Sequence, residues 1–248
     1  MESPRAVFGN PAVWDSVFAA HESVFRSIEY LREVAKDMVA VTKDSTEEVV
    51  QVETALTHIC SEAMLDVLYL VGNHRDSGAM KIARGMFEVG VIATYLEQNP
   101  NEVHDYLNFA HVETWRHFQM LQKYSPSRVT PEHLKAAEAE YNGVKAQFAN
   151  AKGRVRARWT DKTVKELAEA VNRLNVYEIA YNAASELHHM PLTGIIAHEL
   201  DWSKEALFVA HGSLIDTAVS LFNVSKGLGK ELENRMQTAI ANFKHRGK

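Results

Sequence analysis

The feature that most constrains the fold is an eighteen-residue apolar stretch, from Ala79 to Leu96, with charges at only three positions, Lys81, Arg84 and Glu88. A helix that is apolar on nearly all of its faces is buried on most of them. Arg84 and Glu88 are four residues apart, so they lie one turn apart on the same helix face. Because a charge is costly to bury without a partner, we expect a central helix that carries this ion pair into the interior, where other polar groups meet it.

Apolar residues recur at helical spacing along most of the remaining chain. Besides the central helix, this pattern predicts helices over about 12–42, 47–71, 102–123, 131–152, 160–174, 176–189, 203–226 and 232–243. No stretch alternates with period two for long enough to indicate a strand. We therefore predict an all-α, single-domain helical bundle of about eight to nine helices. Residues 1–11 are expected to be a flexible leader, and residues 12–248 a single helical domain.

Charge and cysteine content limit the classes of function. The formal net charge of −5 gives no overall attraction to nucleic acid or to an anionic membrane. Cys60 is the one cysteine, which excludes an internal disulfide and a cysteine-based metal site and favours a reducing compartment. The first residues do not resemble a secretory signal, and Arg84 and Glu88 interrupt the longest apolar stretch. We expect a cytoplasmic protein of bacterial type that does not enter the membrane.

A second polar feature lies in the helix predicted over residues 176–189. Four polar residues follow one another at intervals of four and form one polar row on that helix: Tyr177, Tyr181, Ser185 and His189. The opposite face consists of apolar and small residues, which allow a neighbouring helix to approach closely. We expect this polar row to face Arg84 and Glu88 across the interior of the bundle.

This arrangement suggests a role for each side chain. His189 would act as general base or acid, since its unperturbed pKa lies near neutrality. Arg84 would hold an anionic group, with Glu88 orienting it. Ser185 and Tyr181 would bind or position the substrate. The candidate catalytic residues are thus His189, Glu88 and Ser185. The same pattern is also typical of a polar network that only fixes the register of packed helices, and that interpretation stays open.

At these residues the sequence resembles a widespread bacterial family known only as a domain of unknown function. The family's motifs are an Arg-x3-Glu helix followed by a short apolar run and a proline, a Trp that opens a helix, and a Tyr-x3-Ser-x3-His helix. Here they read ARGMFEVGVIATYLEQNP, WTDKTVKELAEAV and YNAASELHH. The resemblance covers roughly residues 50–220 and implies an all-helical fold with a polar interior site. It adds Trp159 to Arg84 and Tyr181 as predicted ligand-binding residues.

The implied fold is similar to helical nucleotide-binding and RNase domains of toxin and defence systems. That likeness makes phosphodiester hydrolysis the predicted reaction. The substrate would be RNA or an anionic small molecule. Those domains carry Arg-x4-to-6-His late in the chain, whereas here the one match, Arg128 to His133, is split by Pro131. The basic run over residues 152–159 would suit a phosphate backbone. We favour a solvated helix end for it, because cations meet exposed carbonyls there and the chain is acidic overall.

Two alternatives stay open. One is a non-catalytic interaction or oligomerisation module, with a homodimer formed through the apolar stripes of the first and last helices. The other is a ferritin-like carboxylate metal protein, because Glu186 and His189 match the Glu-x-x-His element of such sites. A second copy of that element is lacking, since Glu113 and His117 are spaced by four, and other glutamates such as Glu62 would have to complete the site. The sequence assigns no cofactor and no metal ligand.

Overall fold

A computed structural model describes residues 11–181 and 201–244, which form nine helices and no β-strand. In chain order these are α1 (Pro11–Thr42), α2 (Glu48–Gly72), α3 (Asp76–Gln98), α4 (Val103–Tyr124), α5 (Pro131–Val144), α6 (Val164–Ala170), α7 (Leu174–Val176), α8 (Ser203–Val224) and α9 (Lys230–Lys244). A π-helical turn, Tyr177–Tyr181, follows α7 directly. The predicted all-α helical bundle is confirmed for this part of the chain.

The long helices begin and end close to the predicted residues, but the region after α5 is less helical than predicted. α5 ends at Val144, and one 3-10 turn, Lys145–Phe148, follows it. The side chain of Asn150 then accepts hydrogen bonds from the backbone amides of Lys152 and Arg154, each at 3.0 Å. Asparagine competes with helix formation through such local bonds. The helix predicted over 160–174 is also shorter than expected, since α6 runs only from Val164 to Ala170.

Contacts between residues group the chain into two compact units. Unit 1 comprises Met1–Gln98 and Val164–Lys248, and unit 2 comprises Asn99–Thr163. The assignment of residues 12–248 to a single domain stays a prediction.

The core of unit 1 is built around α8. This helix packs on both α3 and α2, which also pack on each other, while α1 covers α2 and α9 packs on α1. A Cβ atom added at Gly90 of α3 would lie 3.2 Å from the Cα atom of Ser213 on α8, so the two backbones approach closely. The large side chains that are fully buried here include Ile28, Leu31, Met38, Met64, Met80, Leu96, Leu207, Leu214 and Leu221.

Two of the core helices also pass a length and hydropathy test for membrane spans. These are α2, with 44% of its most apolar window buried, and α8, with 61%. The core helices of soluble proteins pass the same test when they are mostly buried. The result is therefore weak evidence for a membrane span.

Unit 2 is a helical hairpin closed by an irregular loop. The ring of Phe109 on α4 meets the ring of Phe148 edge-on, with centroids 5.1 Å apart. α5 begins after Thr130, whose hydroxyl accepts a hydrogen bond from the amide of His133, with Pro131 at the first helical position. We had predicted that the basic run over residues 152–159 is a solvated helix end. That prediction was wrong, because these residues lie in the irregular loop.

Candidate functional site

The structure brings Arg84, Glu88 and Tyr181 together in unit 1. Arg84 Nη2 donates a hydrogen bond of 2.8 Å to the Tyr181 hydroxyl, and the same nitrogen lies 3.4 Å from Glu88 Oε1. The guanidinium carbon also lies 4.5 Å from the centre of the Tyr181 ring, which is within cation–π range. The expectation that the polar row of residues 176–189 meets the ion pair of α3 therefore holds at Tyr181. The positions are set by α3 and by the π-helical turn after α7.

Aromatic neighbours fix the orientation of Tyr181. The ring of Tyr177 stacks on it with centroids 4.6 Å apart, and Phe87 contacts it at 6.0 Å. Burial is the main factor that raises the pKa of Tyr181, and the hydrogen bond from Arg84 acts in the opposite direction. The hydroxyl is therefore neutral near pH 7, so it can accept from Arg84 and donate to a carboxylate.

Only some of the N–H donors of the Arg84 guanidinium are used in polar contacts. Among the residues that the structure describes, its two polar contacts fall on Nη2, Nη1 makes none, and the buried Nε has no hydrogen-bond partner. The side chain of Arg84 is 23% exposed and that of Glu88 35%, so solvent reaches the pair. A guanidinium offers five N–H donors in a rigid fork. Donors therefore remain for a further acceptor.

The structure does not test the other predicted site residues as members of this cluster. Ser185 and His189, and with them Glu186 of the metal hypothesis, lie outside the described residues. Trp159 belongs to unit 2, where it is buried and meets the ring of Tyr106 edge-on at 5.3 Å. Their roles remain predictions from the sequence.

A cavity of about 200 Å³ lies elsewhere in unit 1, between α3, α7, α8 and α9. Most of its lining side chains are apolar, and polar side chains lie at one end. Arg84, Glu88 and Tyr181 are not among the lining residues. Phe87 lines this cavity and also contacts Tyr181, so the two features share one side chain. Two smaller cavities, of about 120 and 150 Å³, adjoin it, and Phe208 lines all three.

The polar end of this cavity is an ion pair that sequence reasoning missed. Arg173 Nε donates a hydrogen bond of 3.0 Å to Asp216 Oδ2, and its Nη2 bonds the other carboxylate oxygen. Burial raises the pKa of Asp216, and Arg173 lowers it to a lesser extent. One signal was present in the sequence, because Asp216 interrupts the otherwise apolar middle of α8.

A second buried carboxyl lies on α2. Glu53 is fully buried, and neither of its carboxyl oxygens has a hydrogen-bond partner in the described part of the chain. Burial, with a smaller contribution from the charge of Glu97, raises its pKa to about 9. Glu53 is thus protonated near pH 7 and is no candidate for binding a cation there.

Metal binding finds no support among the described side chains. Within residues 11–181 and 201–244, no three His, Cys, Asp or Glu side chains group closely enough to hold an ion. Glu113 and His117 lie in unit 2, whereas Glu62 lies in unit 1. Because Glu186 and His189 lie outside the described residues, the ferritin-like hypothesis is not tested.

Comparison with known families gives one match. Residues 54–205, more than half of the chain, match the model of a family of unknown function (DUF5677). The chain belongs to this family. The matched range includes α3 with Arg84 and Glu88, the turn with Tyr181, and all of unit 2, and it agrees with the extent estimated from the sequence motifs. No curated protein and no solved structure is significantly similar to the chain.

Proposed function

We propose that this protein binds an anionic ligand through Arg84. The observation that supports this is the one-sided use of the guanidinium, since among the described residues its polar contacts fall on Nη2 and none falls on Nη1. Arginine binds phosphate and carboxylate groups through two N–H donors at once. A ligand oxygen can take the donors that Tyr181 and Glu88 leave unused.

The contact with Glu88 is loose enough for a ligand to compete with it. Its length of 3.4 Å exceeds the distances of about 2.7 to 2.9 Å that are typical of charge-assisted hydrogen bonds. Both side chains are also partly exposed, so water weakens their attraction. Glu88 would then hold Arg84 in place before the anion arrives.

The reaction that we propose is hydrolysis of a phosphodiester, in RNA or in a smaller nucleotide, by a cytoplasmic enzyme. Arg84 would neutralise the phosphate, and the neutral hydroxyl of Tyr181 would hydrogen-bond a ligand oxygen. His189 would move the proton and Ser185 would position the substrate, as their spacing from Tyr181 predicts. Trp159 is retained as a further ligand-binding residue on the strength of the family resemblance.

Binding tests the first part of this proposal. Isothermal titration with inorganic phosphate, and then with a short single-stranded RNA, would compare wild type with Arg84→Lys and Glu88→Gln. Arg84→Lys keeps the charge but loses the fork, and we expect binding about tenfold weaker. Glu88→Gln removes the competing negative charge, so we expect severalfold tighter binding. Arg26→Lys is the matched control, because Arg26 pairs with Glu22 on α1 and these residues are also four positions apart. It should leave phosphate binding unchanged.

Cleavage tests the second part. Wild type should cleave the RNA, and His189→Ala should lose that activity while it still binds phosphate. Equal cleavage by both proteins would remove His189 from the mechanism. Phosphate binding that is unaffected by Arg84→Lys would remove the anion site itself.

A non-catalytic interaction module is the second candidate. It is favoured by the mutual pairing of Arg84, Glu88 and Tyr181, and these three residues do not line the cavity of about 200 Å³. Large apolar side chains are also exposed on α1 and α2, where Val41 is 58% and Tyr69 64% exposed. We expect a homodimer under this function, which light scattering would detect. Glu88→Gln would then change stability without any gain in anion binding.

The metal hypothesis has a direct test of its own. Protein expressed with added iron or manganese would be analysed for bound metal after purification. Metal at stoichiometric amounts that is lost in His189→Ala would support a carboxylate site, and its absence would end that hypothesis.

A further inference from the structure

The cavity beside Arg173 and Asp216 has the size and the lining of a binding site for a small ring. At about 200 Å³ it exceeds the roughly 150 Å³ of an engineered apolar cavity that takes up benzene. Three phenylalanine rings, Phe87, Phe208 and Phe243, form much of its apolar wall. Aromatic walls favour a planar ligand, because rings stack or meet edge-to-face.

The polar end of the cavity holds two acceptors, the carboxylate of Asp216 and the hydroxyl of Ser213, beside the donors of Arg173 and Asn175. Each oxygen of Asp216 accepts one hydrogen bond from Arg173, and a carboxylate oxygen has a second lone pair. The hydroxyl of Ser213 donates its hydrogen to the carbonyl of Val209 at 2.7 Å, so toward the cavity it acts as an acceptor. The carboxylate is only 13% exposed, so few water molecules reach it. A ligand that hydrogen-bonds the remaining lone pairs of Asp216 must bring N–H donors.

We infer that this cavity binds a planar aromatic heterocycle that carries an amino group, with its rings against the phenylalanine side chains and its N–H donors directed at Asp216. Purine bases with an exocyclic amino group have this shape and this edge. The site is distinct from the proposed anion site, because its lining residues exclude Arg84, Glu88 and Tyr181. The two proposals can therefore fail independently.

Gly212 offers a way to fill the cavity without breaking the fold. It lines the cavity on α8, and a Cβ atom there would meet Phe243 Cζ at 3.6 Å, an ordinary contact distance. Gly212→Leu would place its larger side chain in the space proposed for the ligand. Gly85 on α3 is the matched control, because it is exposed and a Cβ atom there would meet no atom within 4 Å.

The probe is 2-aminopurine, whose fluorescence is quenched when its ring stacks on aromatic side chains. We expect saturable quenching with wild type and with Gly85→Leu, and affinity about tenfold lower for Gly212→Leu, with circular dichroism to verify that both variants fold. Purine, which lacks the amino group, should bind about tenfold more weakly than 2-aminopurine. Phosphate binding through Arg84 should be the same in Gly212→Leu as in wild type.

Three results would overturn the inference. One is the absence of saturable quenching with wild type at millimolar probe. Another is equal affinity of wild type and folded Gly212→Leu. The third is purine binding as tightly as 2-aminopurine, which would show that no donor meets Asp216.

Discussion

Asp216 and Arg173 form a two-pronged ion pair in the core of unit 1, although they are 43 positions apart in the chain. The pair joins the start of α7 to the middle of α8. The side chain of Asp216 is 13% exposed and that of Arg173 38%, so the carboxylate has lost most of its water while the guanidinium has kept a share. Burial therefore raises the pKa of Asp216, and Arg173 keeps that rise smaller than it would otherwise be.

Arg173→Met should destabilise the protein in a pH-dependent way. Removing one partner of a fully buried ion pair costs about 3 to 5 kcal/mol, and the partial exposure of Arg173 reduces our expectation to about 1 to 3 kcal/mol at pH 7. Without Arg173 the pKa of Asp216 rises further. A carboxyl whose pKa is higher in the folded state makes the protein more stable as the pH falls through that pKa. The loss of stability caused by Arg173→Met should therefore be smaller at pH 5 than at pH 7.

Urea unfolding at both pH values would measure this effect. Arg26→Met is the control, because the exposed pair of Arg26 and Glu22 should contribute about 0.3 to 0.5 kcal/mol. An Arg173→Met variant as stable as wild type at pH 7 would contradict the prediction.

Glu53 should make the protein less stable as the pH rises. Its pKa of about 9 in the folded protein lies above the ordinary 4.5, so between these values only the folded state holds the proton. Stability from this group is fully present below pH 4.5 and declines by up to about 1.4 kcal/mol per pH unit toward pH 9. Glu53→Gln cannot ionise, so its stability should lack that part of the decline.

The measurement is the free energy of unfolding from pH 5 to pH 8 for wild type, Glu53→Gln and Glu62→Gln. Glu62 is exposed on the same helix and serves as the control. Parallel pH profiles for wild type and Glu53→Gln would show that Glu53 ionises normally.

Gly90→Ala should destabilise the contact between α3 and α8. The added Cβ atom would lie 3.2 Å from both the Cα atom and the carbonyl oxygen of Ser213, and backbone atoms cannot move aside as a flexible side chain can. We expect a loss of about 1 to 3 kcal/mol from overpacking, reduced by the better helix propensity of alanine. Gly85→Ala, on the same helix but in open space, should instead stabilise by up to about 1 kcal/mol. Opposite signs for the two variants in urea unfolding would verify the prediction, and equal effects would contradict it.

Arg116→Ala should loosen the irregular loop of unit 2. Arg116 donates to the carbonyls of residues 155, 156 and 157, the shortest of these bonds being 2.7 Å, to Arg156. Carbonyls left without a donor would draw the loop toward water. We expect the amide of Arg156, which donates to the Phe148 carbonyl at 2.9 Å, to exchange its hydrogen about tenfold faster. Hydrogen exchange would measure this, with Arg128→Ala as the exposed control, and unchanged exchange in Arg116→Ala would refute the role.

The helices were predictable because each depends on a pattern that is local in the sequence. The apolar repeat that predicts α8 places Leu207, Leu214 and Leu221 on one face, and all three are buried. The predictions were wrong where side chains compete locally with the helix, as Asn150 does after α5. Propensity is a weak guide at such positions, because one local hydrogen bond can outweigh it.

The sequence by itself determined the all-α class of the described residues and the placement of Arg84 and Glu88 one turn apart on α3, since periodicity and spacing act over one or two turns. That Tyr181 meets this pair was a prediction, and the tertiary structure was needed to test it because Arg84 and Tyr181 are 97 positions apart. Only the tertiary structure decided that Arg173 holds Asp216, that Glu53 has no hydrogen-bond partner among the described residues, and that phenylalanines from three helices line a cavity. Those relationships join residues far apart in the chain. They depend on how helices pack, which no local pattern encodes.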